Sequence, residues 1–242
     1  MRTSAIHHAV KIVCLFLLCP LVSVVPTAAN SGDGEFQLLK LDGYKVKWGD
    51  TELGTGAVVS YAFAHAPQHF NDARNCRELV PMDDLAQRSG ISQAALRKET
   101  AAAFRVWEDA ANITFVPAEN PDQADILIGA QGRPVGRAFA NVVYKTGSSN
   151  GVKVIDQALV CLNPEQPWKV GFDGNTDVYD IRYTLIHEIG HAIGLDHPGP
   201  SGQVMSFKYT ERYQDLQAGD LRGVELLYGV SIRRLAAGDG PQ

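Results

Sequence analysis

The chain lacks the long hydrophobic runs of an integral membrane protein and the basic stretches of a nucleic-acid-binding protein. Its longest mainly apolar stretch, residues 12–25, is too short to span a bilayer comfortably. The formal net charge of −5 over 242 residues is mildly acidic, and no run of Lys and Arg is present to follow a phosphate backbone. Hydrophobic residues make up 45% of the chain and charged residues 20%, which excludes wholesale disorder and long coiled coils. We therefore expect about one folded domain and no nucleic-acid partner.

Cysteine is scarce, and two of the four cysteines fall in a segment with the layout of a signal peptide. Arg2 and Lys11 give this segment a positive start, residues 12–25 are apolar, and small residues end it at Ala29. The layout predicts a cleaved secretory signal peptide over residues 1–29 and export to the periplasm or the medium. An uncleaved N-terminal anchor is the alternative, and the shortness of the apolar stretch argues against it. We expect no stable membrane association after cleavage.

Cleavage would leave two cysteines, Cys76 and Cys161. In an oxidising compartment such a pair favours one disulfide bond. Two buried free thiols are the alternative. The chain-entropy estimate for closing so long a loop is roughly 4–5 kcal/mol of stabilisation.

The order of the predicted elements is typical of an α+β domain with a mixed sheet. Segments rich in β-branched and aromatic residues predict strands, at residues 57–63, 113–116, 125–128, 137–144 and 152–162. Apolar residues spaced three and four apart predict helices, at residues 92–111, 178–193 and 216–228. Glycine follows each of the last two helices, as helix ends prefer. Residues 30–43 are predicted to be a short leader and residues 230–242 a C-terminal tail.

The segment from His187 to His197, with the sequence HEIGHAIGLDH, carries the chemistry. Residues four apart lie on one face of a helix, so His187 and His191 can offer two imidazole nitrogens to one metal ion. Gly194 lets the chain leave the helix through a left-handed turn, which brings His197 back as a third ligand. Glu188 lies beside the metal, where it can polarise a metal-bound water. Three neutral imidazoles with one open position are the arrangement of a catalytic zinc site.

This motif resembles that of the metzincin metallopeptidases, and Val204-Met205-Ser206 fits the methionine turn that follows it in those proteins. The methionine lies eight residues after the third histidine, an interval similar to that of the matrixins, the matrix-metalloproteinase family. The likeness covers roughly residues 44–229 and implies a matrixin-like catalytic domain there. That domain would have a zincin-like fold with a mixed, mostly parallel five-stranded sheet, an active-site helix and a C-terminal helix. Gly219 stands where the family has the first of two aspartates, which leaves Asp220 to brace the methionine turn.

The resemblance implies a secreted zinc-dependent endopeptidase that acts as a monomer on protein or peptide substrates, with one catalytic zinc ion. Glu188 would take a proton from the zinc-bound water as that water attacks the peptide bond. A zinc-holding binding module of the same fold that performs no hydrolysis is the alternative, and the presence of Glu188 argues against it. A peptidase devoted to one protein partner would have the same sequence features.

The same resemblance implies that substrate lies antiparallel to an edge strand, which best matches residues 136–140 and includes Ala138. The pocket for the residue after the cleaved bond would be bounded by Phe207, Lys208 and Tyr209, and Tyr209 aligns with a family tyrosine. We expect an apolar preference in this pocket. Simple packing of the aromatic rings under the methionine turn is the alternative role for them.

A loop rich in oxygen donors precedes the predicted zinc helix, with Asp173, Asn175, Asp177 and Asp180. A calcium ion is one interpretation of this cluster. A solvated turn followed by a helix cap is the other, because Val178 stands where an EF-hand loop requires glycine.

Overall fold

The computed structural model describes residues 35–147 and 150–237 of the chain. The predicted signal peptide, residues 1–29, lies outside this part. The elements in chain order are β1 (Gln37–Leu38), β2 (Lys40–Leu41), β3 (Tyr44–Lys47), β4 (Ala57–Phe63), β5 (Gln68–His69), β6 (Glu78–Val80), α1 (Asp83–Arg88), α2 (Gln93–Ala110), β7 (Ile113–Pro117), a 3-10 turn (Pro121–Gln123), β8 (Ile126–Gln131), β9 (Ala138–Tyr144), β10 (Val152–Leu162), β11 (Trp168–Lys169), β12 (Tyr179–Asp180), α3 (Ile181–Ala192), β13 (Leu195–Asp196), α4 (Ala218–Tyr228) and α5 (Ile232–Ala237).

The centre of the main sheet is a set of five strands in the spatial order β7–β4–β8–β10–β9. The strands β7, β4, β8 and β10 run parallel to one another, and β9 pairs antiparallel with β10. Shorter strands extend this set, with β3 beside the start of β10 and β6 beside the end of β8. The mixed, mostly parallel sheet implied by the resemblance is therefore confirmed. Among the described strands β9 pairs only with β10, so its other edge is open.

Helix α2 covers the sheet with one apolar face. It begins after Ser92, whose side-chain oxygen accepts a hydrogen bond from a backbone N–H of the first turn at 3.1 Å. The Phe104 ring of this helix lies 4.3 Å from the Tyr61 ring of β4. Trp107 is fully buried, and its indole N–H donates to the Ile186 carbonyl of α3 at 3.0 Å. These contacts join α2 to both the sheet and the helix that carries the histidines.

A smaller apolar cluster lies on the opposite face of the sheet, because successive side chains of a strand point to opposite faces. Cys76, in the loop between β5 and β6, forms a disulfide bond there with Cys161 of β10, with a Cα–Cα distance of 5.8 Å. Both cysteines are fully buried. The disulfide ties this loop to the centre of the sheet.

The structure differs from the predicted organisation at both ends of the domain. The predicted leader contributes β1, which pairs antiparallel with β13 through Leu38 and Leu195. Leu39 N–H also donates to the Gly194 carbonyl at 2.8 Å. The predicted tail contributes the short helix α5, in which Arg233 pairs with Asp109 at 2.8 Å. Sequence patterns within these segments do not predict the strand or the helix, since both are held by contacts with residues far away in the chain.

No helix within the described ranges is both long and apolar enough to cross a membrane.

Candidate metal centre and substrate cleft

Helix α3 presents two of the three histidines on one face. Its start is fixed by Asp180, whose carboxylate accepts a hydrogen bond from Tyr183 N–H at 2.7 Å. His187 and His191 are one turn apart in this helix. The chain then leaves the helix at Gly194, which has a φ of +105° and lies against the Val46 carbonyl. A side chain would be strained in that conformation and would collide with the neighbouring strand, so glycine is required there.

The Nε2 atoms of the three histidines converge. His187 and His191 are separated by 3.2 Å between these atoms, and His197 lies 3.0 and 3.1 Å from the two. The opposite ring nitrogens of His187 and His191 face the Val204 and Leu195 carbonyls at 2.7 and 2.8 Å. A ring N–H must occupy each of these positions, which leaves both Nε2 lone pairs directed at the common centre.

The donor set fits a zinc ion. Tetrahedral zinc with bonds of roughly 2.0–2.1 Å would separate the ligand nitrogens by about 3.3–3.4 Å, close to the observed separations. Burial lowers the pKa of His187 to about 3 and that of His191 to about 4, and the neighbouring imidazoles add to both shifts. Burial lowers the pKa of His197 as well. All three rings are therefore neutral at pH 7, as metal ligation requires. Of the described residues, only these three form a group with metal-binding geometry.

Glu188 lies next to the triad and is 7% exposed. Burial raises the pKa of its carboxyl group to about 8, and a hydrogen bond from the Ala140 backbone opposes this shift. A dication in the adjacent site would lower this pKa again. Burial and an adjacent dication therefore shift the pKa of Glu188 in opposite directions. The carboxyl group lines the same cleft as the β9 edge strand.

The methionine turn lies beneath the histidines and is held by one carboxylate. Asp220 accepts hydrogen bonds from the N–H groups of Val204 at 3.0 Å and Met205 at 3.1 Å, and a third from Gln217 at 2.9 Å. The Val204 carbonyl faces His187, so this brace reaches the metal centre. Burial raises the pKa of Asp220, and the three amide hydrogen bonds lower it. Asp220 therefore has the bracing role that was expected of it.

Gly219, the departure from the family pattern, leaves room for another side chain. A β-carbon at this position would lie 2.7 Å from Cδ of Gln203. Gln203 fills this space and donates a hydrogen bond to the Glu35 carbonyl. A glutamine from the methionine turn thus ties down the start of the described chain at this point.

A cleft of about 710 Å³ opens above the histidines and runs along β9. Its floor holds the triad and Glu188, and Ala138 lies on its strand side. Tyr209 lines the far wall, where its ring stacks on Tyr179 at 4.0 Å. The Tyr209 hydroxyl accepts from Asp180 N–H at 2.8 Å. Tyr209 therefore packs under the turn and also lines the cleft, so both of its predicted roles are compatible with the geometry.

The oxygen-rich loop before α3 is closed by partners within the chain. Lys169 Nζ donates to the Asp173 carboxylate and, at 2.7 Å, to the Asn175 carbonyl. The Asn175 side chain accepts from Asp177 N–H at 3.1 Å, and Asp180 caps α3. These contacts match the second interpretation of the loop, a turn followed by a helix cap. A calcium ion in this loop remains a prediction without a test.

Several cleft residues carry no sequence signal that identifies them. The loop between β5 and β6, which the disulfide holds, contributes Asp72, Arg74 and Asn75. The predicted leader, residues 30–43, contributes Leu39. These residues reach the cleft only through long-range pairing. Arg137, which directly precedes β9, also lines the cleft; it lies within the predicted edge strand, residues 136–140, but the sequence assigned it no role of its own.

Comparisons with known proteins agree on one family. The sequence profile of the family described as Matrixin matches residues 83–229. Stromelysin-3 of Homo sapiens is 29% identical over 153 residues, which is 57% of this chain and 28% of that protein. Metalloendoproteinase 4-MMP of Arabidopsis thaliana is 27% identical over 151 residues, 58% of this chain and 42% of that protein. Interstitial collagenase B of Mus musculus is 26% identical over 182 residues, 74% of this chain and 37% of that protein. The chain thus spans less than half the length of these relatives.

Proposed function

The chain belongs to the matrixin family, and we propose that it is a zinc-dependent endopeptidase that hydrolyses peptide bonds in proteins or peptides. One observation carries this proposal: three imidazole nitrogens converge within 3.2 Å of one another beside a buried carboxyl group, on the floor of an open cleft. Neither the family membership nor the cleft alone would identify the reaction. The chemistry follows from the groups that meet there.

His187, His191 and His197 would hold the zinc ion. When bound, zinc supplies Lewis-acid chemistry toward the scissile carbonyl and makes water acidic enough to attack at neutral pH. The backbone carbonyls opposite His187 and His191 fix these two rings in the tautomer that ligates through Nε2. Asp220 fixes the turn that carries one of those carbonyls.

Glu188 would act as general base and then as general acid. Its carboxylate accepts a proton from the attacking water and delivers that proton to the nitrogen of the leaving amine. The Ala140 backbone beside it lowers the pKa of this carboxyl group, which favours the charged form needed to accept the proton. Burial keeps bulk water away from it, so the proton is passed on rather than lost.

The open edge of β9 would bind the substrate as an additional antiparallel strand. Backbone pairing of this kind gives affinity with little dependence on sequence, and side-chain pockets give selectivity. Because the strands are antiparallel, residues before the cleaved bond extend toward Val142 and residues after it extend toward Ala138. The side chain that follows the cleaved bond then meets the wall formed by Tyr209.

We also propose that the protein is exported and acts as a monomer. The signal-peptide layout of residues 1–29 supports export. The disulfide between Cys76 and Cys161 supports it independently, because such bonds persist in oxidising compartments.

The proposed activity is tested by incubating protein that lacks residues 1–29 with casein and with a mixed peptide library. Cleavage that stops on addition of a zinc chelator and returns on addition of zinc is expected. Zinc binding with no cleavage of any substrate would instead favour a binding module of the same fold.

A further inference from the structure

A short loop between β5 and β6 is fixed to the centre of the sheet. We call residues 70–77 the disulfide loop. Its ends are joined by a hydrogen bond of 2.8 Å from Phe70 N–H to the Arg77 carbonyl. Cys76, which is fully buried, bonds the loop to Cys161 of β10. Because β10 is an inner strand of the sheet, the core of the protein sets the position of the loop.

The disulfide loop holds β9 at two positions on one face of the sheet. Arg74 N–H donates to the side-chain oxygen of Asn141 at 2.7 Å. Phe139 lies two residues earlier in the strand and therefore points to the same face. Its ring packs against the apolar cluster that contains Cys76 and Cys161. Asn141 thus supplies a polar link between the strand and the loop, and Phe139 supplies an apolar one.

The other neighbours of β9 leave one of its sides free. On the opposite face, Ala138, Ala140 and Val142 pack against the main core. Strand β10 pairs along one edge, and no described strand pairs along the second edge. The second edge has to stay open if a substrate is to pair with it, so a neighbouring strand cannot hold it in place. The disulfide loop is the element that fixes β9 from the outer face.

The two links lie at the part of the cleft where the reaction would occur. The Ala140 backbone lies beside the Glu188 carboxyl group, which places the cleaved bond near this residue. Phe139 and Asn141 are the neighbours of Ala140 in the strand, and both line the cleft, as does Arg74. Order in the backbone at Asn141 therefore affects the part of the edge that pairs with the substrate around the cleaved bond.

We propose that Asn141 is a positioning residue, which ties β9 to the disulfide loop so that the open edge is ordered before the substrate binds. This proposal rests on the proposed endopeptidase function. Asn141 acts through the backbone of its own strand and not on the reacting atoms. Without its hydrogen bond, part of the binding free energy would go into ordering the strand, so substrate affinity should fall while the chemical step is largely kept.

Two substitutions test this role on the native, zinc-loaded protein. Asn141→Leu keeps the approximate size of the side chain and cannot accept the Arg74 N–H, whereas Asn141→Asp still can. With an internally quenched peptide, Asn141→Leu should raise KM by about 3- to 10-fold, as the loss of one hydrogen bond would produce. Its kcat should stay within about twofold of the native value, and Asn141→Asp should return KM to within about twofold.

A binding measurement makes the same comparison without turnover. In the Glu188→Gln background, fluorescence anisotropy of a labelled peptide should show the same rise in Kd for Asn141→Leu and the same recovery for Asn141→Asp. An unchanged KM and Kd in Asn141→Leu would refute the role. A rise that Asn141→Asp fails to reverse would also refute it, because the hydrogen bond would then not be the cause.

Asn120→Leu is the matched control. The Asn120 side chain also accepts a backbone hydrogen bond, from Asp122 N–H at 3.1 Å, in a turn outside the cleft. Its replacement removes the same kind of bond and should leave KM unchanged. An equal rise in KM in this control would contradict a role that is specific to β9. Thermal unfolding of each variant shows whether it has folded.

The disulfide should act on the same property, because it fixes the loop that holds Asn141. KM is expected to rise in Cys76→Ala/Cys161→Ala, and Asn141→Leu should then add less than it does in the native protein, since both changes break one link. Effects that multiply in full would show that Asn141 acts independently of the loop and would contradict the proposal. If the double cysteine variant does not fold, the two Asn141 variants decide alone.

Hydrogen exchange distinguishes failure of this proposal from failure of the proposed function. If the native protein cleaves peptides but Asn141→Leu has the native KM and Kd, the role of Asn141 is refuted while the peptidase stands. If the native protein cleaves no peptide, the endopeptidase proposal fails, and the backbone amides of residues 139–143 still report on the link. Faster exchange there in Asn141→Leu than in the native and Asn141→Asp proteins supports the positioning role, and equal exchange overturns it.

Discussion

Met205 occupies the space that a β-carbon on residue 190 would need. Such an atom would lie 3.0 Å from the Met205 methyl carbon, closer still to its sulfur, and 2.8 Å from the Trp107 ring. Gly190 is the glycine between the two helical histidines. The methionine turn can therefore approach the metal-binding helix only because this position carries no side chain, which links two parts of the motif that are 15 residues apart.

Gly190→Ala is expected to destabilise the protein, although alanine usually stabilises a helix by about 1 kcal/mol relative to glycine. Overpacking against the buried methionine and tryptophan should reverse the sign and cost about 1–3 kcal/mol. Urea unfolding of the zinc-free protein measures this. Gly199→Ala is the matched control, because a β-carbon at that loop position meets nothing within 4 Å. A Gly190→Ala protein as stable as the native one would contradict the packing.

Asp220→Asn is expected to destabilise the methionine turn by about 1–3 kcal/mol at pH 7, since one of the three backbone amide donors, of which those of Val204 and Met205 are buried, would lose its acceptor. The measurement is the free energy of unfolding, with Asp215→Asn on the exposed loop as the control. A loss no greater than that of the control would show that the carboxylate does not brace the turn.

The difference in unfolding free energy between the native protein and Asp220→Asn is predicted to depend on pH. Burial raises the pKa of Asp220 in the folded state, so the folded protein takes up a proton at a higher pH than the unfolded chain does. The native protein should therefore gain stability relative to Asp220→Asn as the pH falls through this raised pKa toward about 4, the unfolded value. If the stability advantage of the native protein over Asp220→Asn became smaller as the pH fell through this interval, the pKa of Asp220 would not be raised in the folded state.

The disulfide should contribute strongly to stability. The bond joins residues separated by 85 positions, and the chain-entropy estimate for such a loop is roughly 4–5 kcal/mol. The double variant Cys76→Ala/Cys161→Ala is expected to lose a large part of this in urea unfolding. Thiol titration of denatured, unreduced native protein checks the bond itself and should find no free thiol from this pair. Two titratable thiols would mean that the bond is not formed.

Much of the fold was predictable because its signals are local. The spacing of apolar residues in α2, the cap at Ser92 and the glycine after α4 are each encoded within a few residues. The predicted helix over 178–193 is observed as Ile181–Ala192, because Asp180 takes the capping position rather than joining the helix. The three histidines follow from helical spacing and one turn glycine.

What could not be predicted depends on distant contacts. The strand β1 exists only because it pairs with β13, more than 150 residues later. The loop containing Arg74 reaches the cleft through the disulfide to β10. The stacking of Arg137 on Tyr179 depends on how β9 and the segment before α3 meet. No periodicity within either segment encodes these relationships.

The most direct test of the account is the turnover of the Glu188→Gln protein at matched zinc content. The side chain keeps its size and loses its ability to carry a proton, while the three histidines remain. The account predicts about one zinc ion per chain in both proteins and a kcat lower by about 10²- to 10⁴-fold in the variant. Equal turnover in the two proteins, or a native protein that binds no zinc, would contradict it.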